Sequence, residues 1–368
     1  MKGKELLFNI VFIIIYYIGN LYVGIRIQRG VGYFFDINNY LFWISFLLAS
    51  TTYIFGRYFD NIVSEKYLKI FKILGNYWMV VLFFGLSTFP VNDFIRSIFN
   101  IHDSINIISI GILFILTIVM GSINARKTYV DEINISNNTG SLNENLNIVM
   151  VSDIHLGEVV GKKRLNKMVN EINALNPDLV IIAGDIVDTQ IEPFINKNMA
   201  EEFSNIKSKY GTYATLGNHD LILGKGEIIA EELRKNNVNV LRNEAVLIND
   251  SFYIIGRDDH VINRLGIRRA TLEEIISPLE KERYKMVIDH TPNSIEESKE
   301  LGVNLHFSGH THKGQIVPFN LVTKKVYEVD HGYKKKDDLN IIVSAGYGTW
   351  GPPIRIGSKS EIMNIVIQ

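Results

Sequence analysis

The chain has 368 residues, a formal net charge of −1 and no cysteine. Near-zero charge argues against a general nucleic-acid binder, which carries a basic face or tract, and the missing cysteine rules out disulfides, thiolate ligands and a cysteine nucleophile. Any metal must therefore be held by oxygen and nitrogen, which points to Mn, Fe or Zn.

The length suggests two or more modules, and residues 1–125 differ sharply from the rest. Leu6 to Ile25, Tyr40 to Phe55, Ile73 to Phe89 and Ile105 to Ile123 are almost wholly apolar and aromatic. Each approaches the ~17–25 residues that cross ~30 Å of hydrocarbon, the second being the shortest. A cleaved signal peptide competes for the first run, but that run exceeds a typical h-region and no small-x-small site follows. None of the runs has a polar face, which disfavours buried helices of a soluble domain. The expectation is an all-α membrane domain of about four transmembrane helices. In a four-span arrangement Lys2, Lys4, Arg57, Lys66, Lys69, Lys72, Arg126 and Lys127 fall on one side, against Arg26, Arg29 and Arg96 on the other. The positive-inside rule then places a multi-pass protein in the cell membrane with its carboxyl-terminal half in the cytoplasm.

Residues 126–145 read as a linker, since Val130 to Asn145 is rich in Asn, Ser, Gly and Glu. From residue 146 to 368 strands and helices alternate. Strand patterns run over Asn147 to Ser152, Asp178 to Ala183, Thr212 to Leu216, Phe252 to Gly256, Tyr284 to Ile288, Asn304 to Phe307 and Ile341 to Ser344. Helical patterns cover Lys162 to Ala174 and Ile228 to Lys235. This alternation predicts an α/β layered domain with its site at strand ends.

Five polar blocks follow those strands: Asp153-Ile154-His155, Gly184-Asp185, Gly217-Asn218-His219-Asp220, His290, and Gly309-His310-Thr311-His312. Asp153 and His155 are two apart, so on extended backbone they point the same way and reach one metal. Gly184 permits a tight turn that aims Asp185, and a carboxylate there bridges two cations ~3.5–4 Å apart. Asn218 adds a neutral amide oxygen. His310 and His312 serve two metals from one strand end, and His290 completes the second. Each block alone is a weak signal; the ordered set is a strong one.

The set resembles the calcineurin-like metallophosphoesterases. That resemblance covers roughly Asn147 to the carboxyl terminus and implies a four-layer αββα sandwich holding two divalent ions. It assigns Asp153, His155, Asp185 and His312 to one metal, and Asp185, Asn218, His290 and His310 to the other. It implies that His219 faces the phosphoryl group with Asp220 orienting its ring, and that a metal-bridging hydroxide attacks in line. The stretches Gly309 to Ile316 and Gly346 to Arg355 resemble a membrane-associated bacterial branch of the family. Arg355 is a candidate phosphate clamp, its guanidinium being suited to bidentate oxyanion binding, with a structural arginine as the equal alternative. Tyr347 and Trp350 are expected to pack in the core rather than line a pocket. His102, His260, His306 and His331 carry no ligand signal, and the run Lys334-Lys335-Lys336-Asp337-Asp338 reads as a solvated loop, with contact to anionic lipid as its functional alternative.

The implied activity is a membrane-anchored phosphohydrolase. In neighbouring branches some members cleave the pyrophosphate of nucleotide-linked acylated sugars and others are assigned phosphodiesterase activity. Tethering near the bilayer favours a phosphodiester or pyrophosphate in a lipid or envelope precursor. The alternatives are a phosphatase or nucleotide phosphodiesterase on soluble substrates, and a membrane binding platform with weak or no catalysis.

Overall fold

A computed structural model of the protein describes residues 2–59, 65–137, 142, 144–188 and 190–368. The chain forms two compact units: Met1–Met120 with Gly351–Pro353, and Gly121–Trp350 with Ile354–Gln368.

The first unit is built from α1 (Lys2–Phe34), α2 (Asn39–Tyr58), α3 (Glu65–Ile98) and the greater part of α4 (Asp103–Arg126). Within them Leu6–Phe34, Tyr67–Ile98 and Asp103–Arg126 are long and apolar enough to cross a membrane. Among the described residues that makes three such helices rather than the four expected. In α2, Ser50, Thr51, Thr52 and Arg57 dilute the apolar side chains. The helix nonetheless runs antiparallel along α1, with Trp43 against Gly24 at one end and the Tyr58 hydroxyl 3.1 Å from Asn9 Oδ1 at the other. It meets α3 through small residues. A Cβ on Gly75 would stand 2.5 Å from Tyr53 Cα, so only glycine allows this approach.

The second unit holds two six-stranded mixed sheets. Its strands are β1 (Thr128–Ile135), β2 (Leu146–Val151), β3 (Leu179–Ala183), β4 (Thr212–Thr215), β5 (Val238–Val240) and β6 (Glu244–Ile248). They continue as β7 (Phe252–Arg257), β8 (Tyr284–Asp289), β9 (Leu305–Ser308), β10 (Gly332–Lys336), β11 (Leu339–Val343) and β12 (Ser360–Ile367). The first sheet has the order β1-β12-β2-β3-β4-β5 and the second β10-β11-β9-β8-β7-β6. In the first, β2 to β5 are parallel; in the second, β7, β8, β9 and β11 are.

Period-two burial makes this a sandwich. Ile148, Met150, Leu179 and Ile181 of one sheet face Phe252, Ile254, Met286 and Ile288 of the other in a shared inner core. The intervening Val149, Val151, Val180 and Ile182 point outward, where they pack with α5 (Lys162–Ala174). The helices α6 (Glu192–Asn196), α7 (Asn218–Leu221) and α8 (Gly226–Lys235) follow in the chain. On the far side Ile255 and Val287 pack with α9 (Leu272–Ile276) and α10 (Ile295–Glu300). The last helix is α11 (Phe319–Val326). The four-layer αββα arrangement is the one expected.

One expectation is corrected. The supposed linker begins as a strand, because Tyr129, Asp131, Ile133 and Ile135 alternate inward and β1 pairs in parallel with β12 from Thr128↔Ser360 to Ile135↔Ile367. Residues 138–141 and 143 of that segment lie outside the described residues.

Candidate metal centre

The polar blocks meet where β2, β3 and β4 of one sheet and β8 and β9 of the other end at the same edge. Asp153 and His155 do not share a face of extended backbone, as their spacing had implied. The chain has left β2, and both residues adopt left-handed backbone, with φ of 50° and 51°. Asp185 (50°), His310 (69°) and His312 (49°) do the same. Each such residue costs on the order of 1–3 kcal/mol, a cost accepted only where the surroundings over-determine the conformation. Here Asp153 N–H donates to Gly184 O and His155 N–H to Asp185 O, each at 3.0 Å, locking the two loops together. Gly184 itself has φ of 77°, and a Cβ there would lie 2.7 Å from His290 Nδ1.

The loops bring the expected residues into two groups. Asp153, His155 and His312 offer ligand atoms within 4.8 Å of one another, and so do Asp185, His290 and His310. Asn218, first residue of α7, places Oδ1 2.8 Å from His310 Nδ1 and so joins the second group. Asp185 Oδ2 lies between the groups, 3.2 Å from His290 Nε2 and 3.9 Å from His155 Nε2. His290 Nδ1 is 2.7 Å from Ala183 O, a bond that directs Nε2 toward Asp185.

These residues fit divalent cations. His155 Nδ1 and His290 Nε2 are buried without hydrogen-bond partners, and the Nε2 atoms of His155 and His312 face each other at 3.1 Å. Buried ligand atoms converging on one point are a preformed ligand set, and oxygen and nitrogen donors without sulfur suit hard or borderline ions. Burial pushes His155 and His310 down to about 4, against the pull of Asp185. It also holds His312 well below the usual imidazole range, with His155 and Arg355 adding to the effect. These rings are therefore neutral at pH 7, as metal ligation requires. His290 differs: burial acts to lower it, but the carboxylates of Asp185, Asp153 and Asp259 together outweigh burial and raise it well above its ordinary value. A proton on His290 supplies positive charge where a cation would.

His219 sits beside this cluster. Its ring lies edge-on to that of His155, with centroids 4.8 Å apart, and its Nδ1 is 3.7 Å from Asp188 Oδ1. Asp220 does not take the role expected of it. Its buried carboxylate accepts N–H bonds from Ile186 (3.2 Å), Val187 (2.8 Å) and Gly217 (2.9 Å), tying the loop after β3 to the start of α7. Successive residues of a helical turn point about 100° apart, so neighbours in sequence diverge in space. Asp188 is the carboxylate facing the His219 ring, and its signal was the second acid of Gly184-Asp185-Ile186-Val187-Asp188.

Arg355 is likewise corrected. It is fully buried, and donates to Gly348 O (2.7 Å), Gly346 O (2.9 Å) and Lys359 O (3.0 Å), with Nη2 3.3 Å from His312 Nδ1. Those bonds turn the guanidinium away from solvent and make it a brace for the carboxyl-terminal loop. Tyr347 packs in the core as expected, whereas Trp350 is exposed.

The other histidines have local partners: His102 with Ser104, His260 with Arg269, and His306 with Ser298 and Ser308. His331 meets Glu361 at 3.0 Å, and Asp131 joins them within ligand distance. Glu361 is already engaged by Ser344 Oγ and the Ala345 N–H, so this trio reads as internal hydrogen bonding. The run Lys334-Lys335-Lys336 is part of β10, and Lys334 and Lys336 pair with Glu328.

A two-sheet sandwich with clustered carboxylates, imidazoles and an amide at its strand ends defines a metal-dependent phosphoric ester hydrolase. The calcineurin-like phosphoesterase family matches residues 146–314, and the chain belongs to that family of metallophosphoesterases, which use divalent metals. It is 28% identical over 373 residues to an uncharacterized metallophosphoesterase of Campylobacter jejuni, covering 97% of each chain. An uncharacterized metallophosphoesterase of Aquifex aeolicus is 30% identical over 69% of this chain and 98% of its own. A Danio rerio protein described as a transmembrane protein with metallophosphoesterase domain is 31% identical over 68% of this chain and 60% of its own. A Haemophilus influenzae NAD nucleotidase structure superposes with a TM-score of 0.38 and 15% identity, covering 56% of this chain and 46% of that one. Three helices of spanning length and apolarity, with relatives named as transmembrane proteins, mark the chain as a membrane protein.

Proposed function

We propose that the protein is a membrane-anchored, dinuclear-metal phosphohydrolase that cleaves a phosphodiester or pyrophosphate of a lipid or envelope precursor. The observation that carries the dinuclear reading is the place of Asp185, whose Oδ2 faces an imidazole of each ligand group. Divalent cations held by Asp153, His155, Asp185 and His312, and by Asp185, Asn218, His290 and His310, would supply Lewis acidity and a nucleophile from water at neutral pH. Mn is the expected ion, with Fe and Zn compatible with the same donors.

The chain's own groups do the rest. His219, half-buried beside the centre, donates a proton to a non-bridging or leaving oxygen of the phosphoryl group. Asp188 faces the His219 ring, its Oδ1 3.7 Å from Nδ1, and serves to orient it. Asp220 holds the loops that carry Asp185 and Asn218 in register.

The proposal keeps all four amino-terminal helices as spans, on the strength of the antiparallel packing of α2 along α1. An even number of spans, with basic residues gathered on one side, puts the catalytic unit in the cytoplasm. The lipid-linked substrate follows from tethering.

The test is hydrolysis by the full chain in nanodiscs loaded with Mn²⁺. Bis(p-nitrophenyl) phosphate, p-nitrophenyl phosphate and an acylated pyrophosphate are compared, with Asp185→Asn as control. Turnover of diester or acylated pyrophosphate, lost in the variant, supports the reading. Turnover of the monoester or free nucleotides alone assigns the protein to soluble substrates, and metal binding with no turnover leaves a binding platform.

A further inference from the structure

Helix α11 begins seven residues after His312 and is built inside out. None of its residues is buried. The residues nearest the body of the unit are polar, Asn320 and Thr323, and Thr323 Oγ1 donates to Asp330 Oδ2 at 2.8 Å. The apolar side chains face outward: Leu321 is 64% exposed, Val322 55% and Val326 64%. Val317, just before the helix, is exposed as well. A helix covering the core of a soluble domain shows the opposite pattern.

Two further observations say what covers this face. Around the helix Lys324 borders the apolar stripe and Lys325 lies within it, between Leu321 and Val322; neither makes an ion pair among the described residues, whereas Lys334 and Lys336 on β10 are neutralised by Glu328. An exposed face that combines apolar side chains with lysines, whose long stems let the ammonium reach outward, matches an anionic bilayer surface, where headgroups take the charge and the acyl boundary takes the side chains. The same chain carries three helices of bilayer length, so hydrocarbon is a medium this molecule already meets. A second copy is the poorer occupant. An eight-residue helix is about 12 Å long, and its one stripe falls well short of the ~1,200–2,000 Å² of a stable interface.

We propose that α11 is an interfacial helix that lies in the headgroup region of an anionic membrane and holds the metal centre at the lipid surface. Both ends of the helix border that centre. A Cβ on Gly314, two residues after His312, would stand 2.2 Å from Asn320 N, and the ring of Tyr327 packs edge-on to His310 with centroids 6.1 Å apart. Trp350, also exposed, has its backbone joined to the Gln315 side chain by two hydrogen bonds of 2.9 and 2.8 Å and adds an aromatic anchor. A phosphate carried on a lipid would then reach the ligands from the bilayer without leaving it.

The chain has no cysteine, so single cysteines can be labelled uniquely. Full-length Leu321→Cys, Val326→Cys and, as reference, Glu201→Cys would carry an environment-sensitive fluorophore in phosphatidylglycerol-containing nanodiscs with nitroxide-labelled acyl chains. The expected result is several-fold stronger lipid quenching at 321 and 326 than at 201, weaker iodide quenching there, and loss of the difference with Lys324→Glu/Lys325→Glu. Iodide quenching equal to the reference would show α11 bare in water. Shielding from both quenchers would show it covered by protein. Either result overturns the proposal, and neither depends on turnover, so it is judged apart from the phosphoesterase chemistry.

Discussion

The backbone N–H of His219 donates to Asp185 Oδ1 at 2.8 Å. This bond engages one oxygen of the central carboxylate and leaves Oδ2 to the two imidazole groups. It also fixes the distance between the Asp185 loop and His219, the residue proposed to donate the proton. The bond exists because a Cβ on Gly217 would fall 2.2 Å from Asp185 Oδ1, so only glycine lets α7 start so close.

Asp185→Asn should therefore cost more than one ligand. An amide at this position lacks the charge that holds two cations together, and it presents a donor toward His290. Supporting partners around metal ligands are worth roughly 10–100-fold in affinity, and a shared ligand should exceed that. Bound metal per chain, measured by mass spectrometry after desalting, should fall from two toward zero, with diester turnover lost in parallel. A variant retaining two metals would contradict the shared-carboxylate geometry.

His219 and Asp188 should separate from the ligands in a different way. His219→Gln keeps the backbone bond to Asp185 but removes the proton donor, so turnover should fall by roughly 10²–10⁴ with metal content unchanged. The loss should be larger for esters with poor leaving groups than for p-nitrophenyl esters. Asp188→Asn should lower turnover less than His219→Gln, because the ring loses only the carboxylate that faces it. Equal losses for good and poor leaving groups would remove His219 from proton transfer.

The strands and the ligand blocks were legible because local pattern carries them. Val149-Met150-Val151 before Asp153 and Val180-Ile181-Ile182 before Asp185 are apolar runs that end in polar residues, and the sandwich edge gathers those ends. What sequence reading missed depends on contacts distant along the chain. The strand Thr128–Ile135 is stabilised by Ser360–Ile367, more than 200 residues away, and its Asp131, Glu132 and Asn134 merge with the polar residues that follow, so the segment reads as loop. Asp220 was assigned by adjacency to His219, yet the helical turn sends its carboxylate to the Asp185 loop. Arg355 was read from its chemistry alone, and three carbonyl oxygens of its surrounding loop decide otherwise.

Glu361 gives a pH-dependent test of the fold. Burial acts to raise its carboxyl, but the hydrogen bond from His331 and the Ala345 N–H outweigh burial and hold it below the usual carboxylate range. A folded value below the unfolded one, about 4.3 for glutamate, means stability that is present above the unfolded value and is lost as pH falls through the folded one. Glu361→Gln should therefore destabilise the protein by roughly 1–3 kcal/mol at pH 7. The gap in urea midpoint between wild type and variant should close as pH is lowered below 4. A gap independent of pH would show that shape, not charge, sets the role of Glu361.

Arg355→Lys decides between brace and clamp. The buried guanidinium donates to Gly346, Gly348 and Lys359 carbonyls from a fixed fork, and a lysine ammonium cannot reach all three from one point. At least one buried acceptor is then left unpaired at about 1–3 kcal/mol, and the strained loop at His312 loses its neighbour. The expected outcome is a lower melting temperature and weaker retention of the metal ligated by His312, with KM for the diester unchanged in the protein that remains folded. A selective rise in KM at unchanged stability would instead return Arg355 to the substrate.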